Sequence, residues 1–567
     1  MSITEMHLTI GALIDRAAAA DPAKVALIDD HVRLTRAELR EYVNCLAAGL
    51  LRLGIQKGDA VLLQLPNWAE FVYSYFALQK IGAAPVLLIS GYRRAEVDHL
   101  CRLTEAKAWI VPQAYRKMDY PSWIGAVREA NPQLRQIISV RAQDEDANFT
   151  ARLEELMAGA PSGAAENEIA ARCPQPADPS TRAPAMAGGS RSGLRPTGVL
   201  EGAPGLPVGL HIAHILPSGG TTGLPKAIPR THEDYLCNVK YLHDAGAMSQ
   251  DDVCLLAVPV GHNLALLNVV GAALVGYEIV LLDSTWPEDI CRAIEAEGVT
   301  YFPTVPSLLK RILEFEKIGD CDLSSLKKIS AGGEPTTPDL VERVRQRLQA
   351  NYITEFGMSE GPLCRTRLND DLKTVCGSVG KPICPDDEFR ILDDAGRALP
   401  PETDGELAAR GPGIFAGYLK NPEENQRAFT ADGFFRTGDL ARFDRLGNVT
   451  ITGRIKDMIN RGGEKISPAQ VEKLLLAHPD IADAAVIGMP DRALGERVCA
   501  YLRPAAGKNP TPDEIAAFMM AKGASRLLIP ERFEFVNVLP LTEAGKHDKK
   551  ALRQDISRKL ERQEGGE

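Results

Sequence analysis

Between residues 25 and 140, short apolar runs alternate with longer stretches in which apolar side chains recur every three or four positions. The run at 60–65 precedes an amphipathic stretch at 70–81, and the run Ala-Ala-Pro-Val-Leu-Leu-Ile follows at 83–89. Strand-length runs separated by helices predict a parallel sheet covered by helices. The rhythm returns at 277–283, 299–305, 326–332 and 351–357, separated by helical patterns at 286–297 and 337–348. This predicts a second α/β layer.

From 377 to 449 the pattern shortens to β-rich pieces punctuated by Gly, Pro and Asp, which predicts a small antiparallel or barrel-like subdomain. Beyond 454 an α+β pattern of about 110 residues suffices for a separate domain. The expected fold is therefore α/β: a large N-terminal region, 1–453, with two sheet layers and a β-rich subdomain, and a smaller mobile α+β domain, 454–567. Residues 158–207, crowded with Ala, Gly, Pro and Ser, predict a flexible insertion. The most apolar stretch, 264–282, is interrupted by Asn268, Gly271, Gly276, Tyr277 and Glu278, so it reads as a buried helix running into a strand, not as a membrane span.

A chain of 567 residues implies more than one core. With 45% hydrophobic and 25% charged residues it should be globular. Its net charge of -10 gives no basic footprint for nucleic acid. Eleven cysteines without a C-x-x-C pair suggest neither a zinc cage nor a disulfide framework, so a reducing cytoplasm is expected. The N-terminal residues lack a basic run followed by an unbroken apolar one, so no signal peptide is expected.

Directly after the apolar run at 211–217 comes Ser218-Gly219-Gly220-Thr221-Thr222-Gly223-Leu224-Pro225-Lys226. Glycines let backbone N–H groups approach phosphate oxygens, hydroxyls donate further bonds, and the lysine adds positive charge. A Walker A loop needs Gly directly before Lys and Ser or Thr after it; here Pro225 precedes and Ala227 follows. An ordinary Gly/Thr-rich surface turn would have the same composition.

The stretch from Ser218 through IPRTH (228–232) resembles the phosphate-binding signature of the acyl-adenylate-forming, AMP-forming ligase superfamily. Further motifs follow in the family's order: Phe356-Gly357-Met358-Ser359-Glu360, Gly405-Glu406-Leu407, Phe435-Arg436-Thr437-Gly438-Asp439, Gly453-Arg454-Ile455-Lys456-Asp457 and Leu541-Thr542-Glu543-Ala544-Gly545-Lys546. The resemblance implies ATP-dependent conversion of a carboxylate to an acyl-AMP with release of pyrophosphate, then transfer to a thiol. It implies that Lys546 bridges carboxylate and α-phosphate, that Thr221, Thr222 and the loop N–H groups hold the β- and γ-phosphates, and that Glu360 places Mg²⁺. Asp439 would bind the ribose and Arg454 ribose or phosphate. Phe356 would stack on adenine beside Gly332-Gly333-Glu334, although a phenylalanine at a strand end is by itself more often a core residue. Lys456 occupies the hinge position, and Gly462 and Gly463 would flank the thiol's tunnel after the C-terminal domain rotates.

His262 and Asn263 occupy the region that in this family leads into the acyl pocket, with His262 also a catalytic candidate. A neutral Asn263 cannot pair with the ammonium of an amino acid. His262-Asn263, IPRTH and 459–465 most resemble the aryl-acid branch, including 2,3-dihydroxybenzoate and salicylate ligases. Leu264 and Asn268 stand where the dihydroxybenzoate enzymes carry Tyr and Ser, so benzoate, heteroaryl and alicyclic acids also fit. A medium-chain fatty acid is the alternative within the superfamily, and a regulatory protein that binds ATP without ligation is the alternative outside it. The acceptor is expected in trans, as coenzyme A or a carrier protein's phosphopantetheine; sequence does not choose between them, nor fix the oligomeric state.

Overall fold

A computed structural model describes residues 8–116, 118–158, 162–172, 211–218, 224–334, 336–542 and 547–564. Among them, four sheets carry the fold. The first has nine strands, with Tyr301–Thr304, Lys328–Gly332 and Asn351–Gly357 parallel neighbours and antiparallel strands at both edges. The second has seven, six of them parallel; its last pair is the antiparallel hairpin Ile212–Pro217 and Ala227–Thr231.

Every second side chain of these strands faces the same way, and burial follows that period. Leu27, Ile279 and Leu281 point into a core between the two large sheets, whereas Ile28 and Val280 point to the helices behind. Val61 and Leu63 enter the same central core from the other sheet, and Ala60 and Leu62 face outward to a third cluster. The helices Arg36–Arg52, Ala69–Ile81, His232–Ala245 and Asn263–Val275 fill the space between the sheets.

The helix Ala69–Ile81 departs from expectation. It is not amphipathic: twelve of its thirteen residues are buried, Glu70 being the exception, because sheets or helices cover every side. The apolar stretch near 270 follows expectation, as the helix Asn263–Val275 ends at Gly276 (φ 97°) and the strand Glu278–Leu281 begins. Among the described residues no helix is long and apolar enough to cross a membrane.

The predicted insertion begins with order. Ser162–Arg172 is a helix docked on Arg36–Arg52, with Ala165 and Ile169 buried one turn apart. Glu166 accepts from Arg40 (2.8 Å) and Asn44 (3.1 Å), and Glu168 from Arg52 (3.0 Å). Positions 159–161 and 173–207 of that expectation lie outside the described residues.

The strands Glu388–Leu392, Gly405–Arg410, Phe435–Phe443 and Val449–Arg454 form the expected β-rich unit, an antiparallel meander. After the short turn Ile455–Asp457 comes a five-stranded sheet built on the long hairpin Ile481–Asp491 and Gly495–Pro504. The ten described cysteines are free; Cys237 and Cys384 approach with sulfurs 3.5 Å apart.

Candidate active site

The phosphate-loop candidate is the tip of the hairpin between Ile212–Pro217 and Ala227–Thr231. Its base is closed twice: the Ser218 N–H donates to the Lys226 carbonyl (2.8 Å), and the Lys226 N–H donates to Ser218 Oγ (2.9 Å). Gly219, Gly220, Thr221, Thr222 and Gly223 lie outside the described residues. The Lys226 ammonium sits 2.5 Å from Glu424 Oε1 and 4.5 Å above the Tyr418 ring, so its charge is engaged by the protein.

Phe356, Gly357 and Ser359 lie at the end of Asn351–Gly357, where the strand delivers them to the wall of a ≈ 2730 Å³ cleft. The partly buried Phe356 ring also packs against the β-rich unit's core, so the core and cleft readings both apply. Met358 instead packs toward the central core. Gly332 is required on the neighbouring strand, because a Cβ there would meet the Glu355 carbonyl at 2.5 Å. Gly333 turns with φ 87°, and Glu334 Oε2 accepts from the Ser307 N–H at 3.1 Å.

Glu360 is buried. Tyr418 donates its hydroxyl to Glu360 Oε1 (3.0 Å), and the Glu360 carbonyl accepts from the Phe415 N–H. Burial pushes its carboxyl above the ordinary range, against the hydrogen bonds and the Lys226 and Arg230 charges that lower it. A single carboxylate beside a phosphate loop suits Mg²⁺, which keeps several waters and takes phosphate oxygens as ligands. Among the described residues no cluster of three or more His, Cys, Asp or Glu could hold a metal by itself.

Asp439 and Arg454 face each other across neighbouring strands, with Nε 2.8 Å from Oδ1. Both line the cleft. Lys456 follows in the turn Ile455–Asp457; it keeps contact with water, but desolvation by the crowded surroundings, then the Arg454 charge, lower its pKa. Lys546 lies outside the described residues. Its flanking residues Leu541 and His547 form an antiparallel bridge, and Thr542 and His547 line the cleft with Gly333, Glu334 and Asp439.

At the other end, His262 and Asn263 line the cleft. His262 Nδ1 accepts from the Leu264 N–H at 3.3 Å, capping the helix Asn263–Val275; an accepting Nδ1 puts the neutral ring's proton on Nε2. Asn263 Oδ1 accepts from the Tyr235 hydroxyl at 3.0 Å. Leu264 and Asn268 are not among the residues lining the cleft. Leu264 packs on the central core, and Asn268 is fully buried, donating to the Leu264 carbonyl. Five residues of helix turn Asn268 about 140° away from Asn263. Gly462 and Gly463 form an exposed hairpin turn, with φ 59° and 95°, away from the cleft lining in this orientation.

Residues that sequence reasoning passed over hold these parts together. Arg230, Tyr418 and Glu424 surround the phosphate hairpin and Glu360. Asp483 joins the chain's two ends of the cleft: Lys310 lies 3.5 Å from its Oδ1 and His547 Nε2 3.1 Å from its Oδ2. The fragment PRTH contained Arg230, but its partners are remote in sequence.

A family model described as AMP-binding enzyme matches residues 14–419, and one described as AMP-binding enzyme C-terminal domain matches 470–546. The chain belongs to the AMP-binding enzyme family. This AMP-binding enzyme is 36% identical over 554 residues to a 2,3-dihydroxybenzoate-AMP ligase of Bacillus subtilis (strain 168), covering 97% of this chain and 94% of that one. It is 35% identical to a salicyl-AMP ligase / salicyl-S-ArCP synthetase of Mycobacterium tuberculosis, covering 96% and 90%. Among solved structures, the apo MbtA of Mycobacterium smegmatis is 33% identical, with a TM-score of 0.67 and coverage of 96% and 94%.

Proposed function

We propose that this AMP-binding enzyme activates an aromatic or ring carboxylic acid, of the 2,3-dihydroxybenzoate or salicylate kind, and transfers it to a thiol. The observation that carries the reading is the convergence on one cleft of Ser218, Phe356, Asp439, Arg454 and the residues flanking 543–546, with Asn263 at the acyl end.

In the first half-reaction a carboxylate oxygen attacks the α-phosphorus of ATP; that P–O bond forms as the bond to pyrophosphate breaks. Two anions must meet, so fixed cations and N–H donors are needed where charge accumulates. Lys546 bridges the carboxylate and α-phosphate. Gly219, Gly220, Thr221, Thr222 and Gly223 present donors to the outer phosphates, and Lys226 leaves Glu424 to join them. Glu360 would hold Mg²⁺, which when bound would neutralise phosphate charge. Asp439 takes the ribose hydroxyls, Arg454 adds a donor beside it, and Phe356 faces adenine next to Gly333 and Glu334. His262, with its proton on Nε2, serves as a donor to the acid.

In the second half-reaction a thiol sulfur attacks the acyl carbon and AMP leaves with the C–O bond electrons. We place the domain boundary at 453/454, with 454–567 turning about Lys456 to bring Gly462 and Gly463 to the pocket. The thiol is that of coenzyme A or a phosphopantetheinyl carrier. The free cysteines fit a reducing, cytoplasmic setting.

Acid-dependent ATP–pyrophosphate exchange with Mg²⁺ and no thiol tests the proposal. Exchange with salicylate, 2,3-dihydroxybenzoate, benzoate or cyclohexanecarboxylate is expected; exchange with octanoate alone overturns the ring-acid assignment.

A further inference from the structure

Three sheets meet at the nucleotide end of the cleft, and each contributes a different part. The phosphate hairpin belongs to the seven-stranded sheet, the segment Phe356–Glu360 leaves the nine-stranded sheet, and the loop after Gly405–Arg410 leaves the meander. Such parts keep their spacing only if something rigid crosses between them.

Arg230 crosses. It lies on Ala227–Thr231, four residues after Lys226, and is fully buried. Its Nη1 donates to the Ser359 carbonyl (2.7 Å) and its Nη2 to the Gly413 carbonyl (3.0 Å). Nη2 also donates to Asn238 Oδ1 (2.8 Å), and Nε to Asp234 Oδ1 (2.8 Å), anchoring the fork on the helix His232–Ala245. Two residues past Gly413, the Phe415 N–H donates to the Glu360 carbonyl, and Tyr418 reaches the Glu360 carboxylate. Glu360 is thus held between the two segments whose carbonyls Arg230 grips. A guanidinium spans four acceptors in fixed geometry, whereas an ammonium does not.

Resting on the adenylation reading above, we propose that Arg230 is a positioning residue for nucleotide activation: it fixes the distance between the strand Ala227–Thr231 that follows Lys226 and the Glu360 carboxylate, and so sets the enzyme's affinity for Mg·ATP. It touches neither substrate itself.

The test is Mg·ATP binding by calorimetry on the full chain, together with the Mg²⁺ dependence of pyrophosphate exchange, for wild type, Arg230→Lys and Asn238→Ala. Arg230→Lys is expected to weaken Mg·ATP binding and raise the half-saturating Mg²⁺ by about tenfold, leaving the half-saturating acid concentration unchanged. Asn238→Ala, which removes only an anchor on the helix, is expected to lower the melting temperature without moving the Mg²⁺ requirement. Should Arg230→Lys not fold, Asn238→Asp draws Nη2 from the Gly413 carbonyl and is expected to raise the Mg²⁺ requirement in the same direction. Wild-type Mg²⁺ dependence in the folded Arg230 variant, or in Asn238→Asp where that must replace it, overturns the proposal. Absence of Mg·ATP binding by the wild type overturns the adenylation reading, and with it this one.

Discussion

The two walls of the cleft are held by different physics. The nucleotide wall is fastened from within: Arg230 is sealed from water and makes four hydrogen bonds, and Tyr418 supports a buried Glu360. The wall contributed after residue 454 is fastened largely by ion pairs. Lys310 lies 3.5 Å from Asp483, and Glu314 3.5 Å from Arg503. Pairs that keep contact with water contribute little each and reform readily elsewhere. Under the proposed mechanism, the wall that stays fixed and the wall that turns are thus built from bonds of different cost to break.

The largest effect should come from the lysine carried by the turning wall. Lys546→Ala is expected to reduce acid-dependent pyrophosphate exchange by about a hundredfold or more, while supplied acyl-AMP is still converted to thioester at the wild-type rate. Equal loss in both assays would erase the distinction between the walls.

On the fixed wall, Glu360→Gln separates stability from function. Burial raises the carboxyl's pKa, so ionisation costs the folded protein stability once pH exceeds the ordinary glutamate range, and the cost is complete above the raised value. The variant is expected to melt higher than wild type at pH 8 without metal, with no such gain near pH 4. It should also bind Mg·ATP more weakly by about tenfold. Calorimetric melting and titration read the two signs.

The turning wall predicts a smaller, pH-shaped effect. Burial lowers the His547 pKa, but the hydrogen bond and charge of Asp483 outweigh it, leaving it above 6.5. Burial likewise raises Asp483, and His547 and Lys310 outweigh it, leaving it below the ordinary range. The His547 arm is complete below about 6.5 and lost as pH rises through the raised value; the Asp483 charge is complete above its ordinary range and lost as pH falls through the lowered one. Because only Lys310 reaches Asp483 from the other wall, fluorescence transfer between labels on the two walls should hold through neutral pH and fall in acid as Asp483 is protonated. Asp483→Asn is expected to flatten that profile and slow adenylation about threefold, sparing thioester formation. The smallest effect belongs to Tyr418→Phe, which removes one hydrogen bond from Glu360 and is expected to lower Mg·ATP affinity about twofold.

The same contrast explains what could be read from the sequence. Strands, most helices and the phosphate hairpin follow from neighbours a few positions apart, and the pattern at 60–89 already implied strand, helix and strand. Arg230 reaches Ser359 and Gly413 across 129 and 183 positions, and Tyr418 reaches Glu360 across 58, so their roles exist only after the sheets assemble. Asn268 lies off the cleft lining because five residues of helix separate it from Asn263, a rotation that counting along the chain does not show. The helix Ala69–Ile81 was misread as amphipathic because its polar atoms, including those of Ser74, Gln79 and Lys80, are buried with the rest. Lys80 finds Asp15 and Asn44 there, a solution that no local pattern announces.

That helix also governs how the protein reaches its native state. With twelve of thirteen residues enclosed, it has almost no side suited to water, and one sheet alone cannot cover it. During synthesis it must wait for strands beyond residue 250, which close the other side of the central core. Until they arrive, the nascent chain displays an adhesive rod, and production of this enzyme should depend on slow growth or chaperone supply more than its finished stability would suggest.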